Sequence, residues 1–175
     1  AQTKVNLEMA ATLEMQEIAL AMRPDSVTLV PEKREEVTTE GGLNLLREGE
    51  KYAATVKALK DGGIRTAAFI GPDQAQVKEA AKLGFDAIEI HTGEYANAAR
   101  RGPGDTLRAV QDAATAGRRY RLRVHAGHGL TYHNVHPVVQ IPEIEELNIG
   151  HSIISRAVFV GMEQAVAEMV SLMIR

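Results

Sequence analysis

The 175-residue sequence contains no Cys and no Trp, and only four Tyr and three Phe. Without Cys, disulfide scaffolds, thiolate metal sites and Cys nucleophiles are excluded. Neither sign of charge dominates: 20 Lys and Arg stand against 23 Asp and Glu, for a formal net charge of −3. No segment carries a block of basic residues, which argues against a dedicated nucleic-acid binder. No apolar run approaches the ~18–20 residues needed to span a bilayer, so no membrane segment is expected. The N-terminus has no basic-then-apolar signal, and the expected location is the cytoplasm. Low-complexity tracts and internal linkers are missing as well. What is present, 45% hydrophobic and 25% charged residues, suits a single globular domain over residues 1–175. A chain of this length buries roughly 70% of the surface its unfolded form exposes, so neither metal nor disulfide is needed to hold it together. It opens on Ala1 rather than Met, and the natural start is expected to lie upstream.

Short apolar, β-branched runs alternate with longer amphipathic stretches. Strands are predicted at Lys4–Met9, Ser26–Val30, Arg65–Ile70, Ala87–His91, Arg121–His125 and Glu146–Gly150. Apolar residues spaced three and four apart predict helices over Thr12–Met22, Leu45–Asp61, Pro72–Lys82, Asp105–Ala116 and Ser152–Ile174, with a shorter one over His133–Gln140. Pro24, Gly62-Gly63, Gly84, Gly117 and Pro142 fall where such units should end. Six βα units imply a parallel sheet, either doubly wound or closed as a barrel.

Two observations favour the barrel. Glu8, Glu32, Glu89, His91, His125, His128, Asn148 and His151 sit at the C-terminal ends of many predicted strands, where a barrel collects its functional residues. No G-x-G-x-x-G follows the first strand, which weakens a dinucleotide fold. Six units average about 29 residues, and eight would reach the ~250 typical of a (β/α)8 TIM barrel. The fold expected is therefore that α/β barrel, with this sequence supplying about six units.

The densest chemical cluster is Val124–Val135, VHAGHGLTYHNV. His125/His128 and His133/His136 have H-x-x-H spacing, open to a metal-pair reading. A strand end and a glycine-rich loop do not fix two imidazoles on one face, and His residues three apart on a helix are common on solvated surfaces, so no metal site is expected. His128, flanked by Gly127 and Gly129, is better suited to acid/base work than to the alternative of an idle loop His. Glu8 and Glu89 lie at inward positions of otherwise apolar strands, where a carboxylate is costly to bury unless paired or functional. An Arg partner is the structural alternative. Glu145 and Glu146 read as a solvated approach to the last strand. Gly150-His151-Ser152 joins a strand end to a helix start, a geometry that binds phosphate but also suits an ordinary capped turn. Val37–Gly42, VTTEGG, suits a ligand loop or a simple helix entrance.

Asn6–Ala10 (NLEMA), Val30–Leu43 (VPEKREEVTTEGGL), Ile88–Ala96 (IEIHTGEYA), Ala126–Val135 (AGHGLTYHNV) and Glu146–Val158 together resemble the pyridoxine 5′-phosphate synthase family. The resemblance runs in order through essentially the whole chain. It implies a (β/α)8 barrel with extra helices, assembled as a homo-octamer and working without metal or organic cofactor. It also implies condensation of 1-deoxy-D-xylulose 5-phosphate with 3-amino-2-oxopropyl phosphate, with release of inorganic phosphate and two waters. By the same resemblance, Glu8 is a proton acceptor, His128 a proton donor and Glu89 a stabiliser of transition-state charge. Thr38 would contact the deoxyxylulose phosphate, and Gly129, Gly150 and His151 the aminoacetone phosphate.

The sequence departs from the family in three places. His125 stands where many members carry Asn, and Asn97–Asp105 is shorter than the usual connection. The family's first two βα units, which bring a second catalytic histidine and substrate-binding arginines, have no counterpart in these residues. The expectation is a C-terminal six-unit portion of such an enzyme. The alternatives are an inactive barrel fragment that binds phosphate or serves assembly, and a metal-dependent barrel hydrolase built on the His cluster.

Overall fold

The computed structural model describes residues 3–32, 41–98 and 104–174. Six strands, β1 (Asn6–Met9), β2 (Ser26–Leu29), β3 (Arg65–Ile70), β4 (Ala87–His91), β5 (Arg123–Gly127) and β6 (Glu146–Asn148), form one sheet. Each pairs in parallel with the next in sequence, so the order never reverses. A doubly wound sheet needs such a reversal, and a barrel wall does not. The fold is a curled, six-stranded part of a TIM-type barrel, and among the described residues β1 and β6 are not paired with each other.

Eight helices accompany the strands among the described residues: α1 (Leu13–Met22), α2 (Leu45–Asp61), α3 (Gln74–Lys82), α4 (Gly93–Ala98), α5 (Gly104–Arg119), α6 (Val135–Val139), α7 (His151–Val160) and α8 (Met162–Ser171). None is long and apolar enough to cross a membrane. Thr12 caps α1 by accepting from the Met15 N–H, and Asp73 caps α3 by accepting from the Ala75 N–H at 2.8 Å.

Alternation along the strands separates two environments. Val27, Leu29, Ala68, Ile70, Ile88, Ile90, Val124 and Ala126 face the helices and are wholly buried. They meet Tyr52, Val56 and Leu59 of α2, Val77 and Ala80 of α3 and Val110, Ala113 and Ala114 of α5 in one core. The core therefore lies outside the sheet. The alternate positions, including Asn6, Glu8, Thr28, Phe69, Glu89, His91, His125 and Asn148, line the concave side.

Several elements differ from those expected. β5 runs over Arg123–Gly127, two residues later than Arg121–His125, because Arg121 takes a left-handed φ of 63° that ends the preceding turn. The stretch Ser152–Ile174 is two helices rather than one, broken at Gly161, whose φ of 83° no continuing helix adopts. Gly93–Ala98 forms the short helix α4, which periodicity over six residues is too brief to reveal.

Candidate active site

The C-terminal end of the sheet opens into a cavity of about 360 Å³. Glu8 reaches it from β1, Glu89 from β4 and Asn148 from β6. His128 and Gly129 enter from the loop after β5, and Gly150 and His151 from the start of α7. Every residue given a role by the family resemblance lines this cavity except Thr38, which lies outside the described residues, whereas Glu32, His91 and His125, also picked out at strand ends, do not line it.

The two glutamates differ sharply in environment. Glu8 is exposed at the cavity's edge, so the cost of burial expected for it does not arise. Glu89 is only 1% exposed. Burial pushes its carboxyl up to about 7, against the opposing effect of a 2.6 Å hydrogen bond donated by the Asn148 side-chain amide. The negative charges of Glu8 and Glu146 push the same way as burial. Glu89 therefore titrates near neutrality, as an acid/base or charge-balancing group requires.

His128 is held by its backbone. Both His128 and Gly129 have left-handed φ values, 76° and 77°. The Thr92 hydroxyl donates to the carbonyl oxygens of Gly127 and His128, each at 2.6 Å, while the Thr92 N–H donates to the Gly127 carbonyl at 2.8 Å. Farther along the loop, Asn134 donates to the Gly129 carbonyl at 3.1 Å and accepts from the Thr131 N–H at 2.6 Å. The Tyr95 hydroxyl donates to the Asn134 carbonyl, also at 2.6 Å. The His128 ring lies 4.6 Å from that of Phe69 and 5.2 Å from that of His91, centroid to centroid. Thus the loop glycines permit the turn, but residues from β3, α4 and the end of β4 fix it. Thr92, Phe69 and Asn134 escape sequence reasoning, since nothing in spacing marks a Thr or Phe that acts across two strands.

The His cluster does not act as a unit. His125 and His128 separate because β5 continues to Gly127. His125 instead lines a second cavity, of about 260 Å³, at the N-terminal end of the sheet with Asn6, Ser26, Arg65 and Arg123. Burial lowers its imidazole below the usual range, against the nearby Glu146 carboxylate. His133 and His136 are exposed, and His133 precedes the short α6 rather than lying on it. Among the described residues, no group of three or more His, Asp or Glu side chains is arranged to hold a metal ion.

The sequence profile described as "Pyridoxal phosphate biosynthesis protein PdxJ" matches residues 1–175. The chain belongs to the PdxJ family. Relatives named pyridoxine 5′-phosphate synthase include those of Syntrophotalea carbinolica, 56% identical over 96% of this chain, and Sulfurihydrogenibium sp., 52% identical over 94%. The chain spans 71% and 68% of their lengths. PdxJ membership places it among enzymes of vitamin B6 synthesis. Beyond the PdxJ relatives, a crystal structure of DHDPS from Cyanidioschyzon merolae with lysine bound matches with a TM-score of 0.61 at 17% identity, over 93% of this chain and 59% of that one. A xylose isomerase domain protein from Planctomyces limnophilus matches with a TM-score of 0.56 at 15% identity, over 97% of this chain and 71% of that one. Those two likenesses are of fold alone.

Proposed function

We propose that this chain condenses 1-deoxy-D-xylulose 5-phosphate with 3-amino-2-oxopropyl phosphate to pyridoxine 5′-phosphate, releasing inorganic phosphate and two waters. The observation that carries this reading is the convergence of Glu8, Glu89, His128, Gly129, Gly150 and His151 on one cavity in a PdxJ chain. The substrate amine attacks a carbonyl to form an imine. That step expels the first water; successive proton shifts, loss of phosphate and ring closure with one further dehydration then aromatise the ring. These steps call for several proton-handling groups around one pocket, and two carboxylates with an imidazole supply them.

In this reading Glu8, solvated at the edge, accepts protons, and His128 donates them to departing oxygens. Glu89 balances charge as it develops, helped by a titration near 7 that makes both of its forms accessible at neutral pH. The backbone N–H groups at the start of α7, beside Gly150 and His151, suit a phosphate of the aminoacetone substrate, with Gly129 lining the same pocket. Thr38 is assigned to the deoxyxylulose phosphate on family resemblance. The same resemblance supports a homo-octamer that needs no metal or organic cofactor.

The test is product formation from both substrates by the full chain and by His128→Ala and Glu8→Gln. Each variant should lose turnover by at least about 10²-fold while keeping its circular dichroism spectrum. Near-wild-type turnover in either would remove that residue from its role. Binding of inorganic phosphate without any product from the parent chain would favour a binding or assembly role instead.

A further inference from the structure

Glu89 and Asn148 are not on neighbouring strands. β5 runs between them, yet the Asn148 amide reaches the Glu89 carboxyl at 2.6 Å. The register shows how. Glu89 stands beside His125 on β5, and one inward position farther along, His91, Gly127 and Asn148 line up across β4, β5 and β6. The path from the carboxyl to the amide therefore crosses β5 at Gly127, the inward position that carries no side chain. A Cβ there would stand 2.5 Å from Oε1 of Glu89, 3.0 Å from the Asn148 carbonyl oxygen and 3.2 Å from the Asn148 Cβ. Any larger residue would displace the carboxyl.

We propose that Gly127 and Asn148 are the positioning pair for Glu89: the glycine opens a path across β5, and the amide anchors the carboxyl at the end of it. The inference rests on the reading of Glu89 as the charge-balancing carboxyl of the ring-closing reaction. A neutral amide suits that task better than a cation would. Arg at position 148 would hold Glu89 permanently ionised, whereas Asn fixes its place and leaves it free to titrate. The titratable groups around the carboxyl are Glu8 on β1, Glu146 on β6, His125 beside it on β5, and His128 and His151 across the cavity. Of the influences on its titration, burial, Glu8 and Glu146 favour the protonated form, and the Asn148 hydrogen bond alone opposes them.

The experiment follows Glu89 itself. Its side-chain carbon is titrated by ¹³C NMR in the full chain, with Glu89→Gln to assign the signal, and then in Asn148→Leu, Asn148→Ala and Gly127→Ala. Each of the three should raise the Glu89 midpoint, by about one pH unit for loss of a hydrogen bond to a charged group. Gly127→Ala should do so with Asn148 intact, because its methyl displaces the carboxyl. The limb of the kcat profile that reports Glu89 should move with the midpoint, and kcat should fall more than KM changes. The alanine variant keeps the test open if the leucine does not fold. Unmoved midpoints in variants that fold would overturn the positioning role, even if activity fell. A parent chain that makes no pyridine product, yet shows the shifts, would keep the positioning pair and remove the ring-closing reading.

Discussion

At the scale of single residues, Glu89 links chemistry to stability. Its carboxyl is raised from 4.5 to about 7 chiefly by burial, so the folded state binds a proton more tightly than the unfolded chain does. The stabilisation from that proton is fully present below about pH 4.5 and is lost as pH rises through 7. The shift corresponds to about 3 kcal/mol as an order of magnitude. Glu89→Gln cannot ionise and keeps an acceptor for Asn148. It should therefore unfold at higher urea than the parent at pH 8 and match it near pH 4, with product formation reduced at both. Thr92 illustrates the second residue-scale constraint, as its one hydroxyl serves two carbonyls of the His128 turn. Thr92→Val should cost about 1–3 kcal/mol in stability and lower kcat with little change in KM, while Thr92→Ser restores both. A valine variant that melts early at unchanged kcat would make the clamp structural only.

At the scale of elements, a two-residue displacement of β5 decides which histidine serves the cavity. With the strand ending at His125, His125 and His128 share one loop. With it ending at Gly127, they face opposite ends of the sheet. The apolar pattern of RLRVHAG is compatible with either register, since Leu122, Val124 and Ala126 all alternate; pairing with β4 selects the second. The approach of α5 to the sheet is another matter of tertiary fit. Gly117 reads as a helix terminator, but it lies inside α5, where an added Cβ would stand 2.8 Å from Val124 and 3.0 Å from Ile88. Its lack of a side chain lets the helix lie close on β4 and β5. Gly117→Val should destabilise the fold by about 1–3 kcal/mol through overpacking, measured by urea unfolding, and unchanged stability would show that the helix can move away freely.

At the scale of the whole molecule, apolar side chains are exposed at both ends of the sheet. Leu13 on α1, beside β1, is 70% exposed, and Val158 and Phe159 on α7, after β6, are 78% and 84% exposed. Exposed apolar groups of this size favour association with other surfaces. Light scattering on the isolated 175-residue chain should give a mass above 19.0 kDa, and Val158→Glu with Phe159→Lys should lower it. A monomeric parent at micromolar concentration would count against these residues as contact surfaces.

Much of this architecture was legible before any tertiary contact. Strand and helix order follow from apolar periodicity and from Pro and Gly punctuation, because these act through bonds and hydration within a few residues. Glu8, Glu89, His128 and the Gly150-His151 turn stand out in the sequence as candidate site residues, by their places at strand ends and a helix start and by family resemblance, and the structure brings them to one cavity. The functions of Thr92, Phe69, Gly127 and Asn148 were not legible in this way. Each acts on a residue at least twenty positions away, and only the register of parallel strands decides which side chains meet. Local sequence determines which element each residue joins. The burial that brings Glu89 to neutrality, the separation of His125 from His128 and the path across Gly127 come from packing six strands side by side.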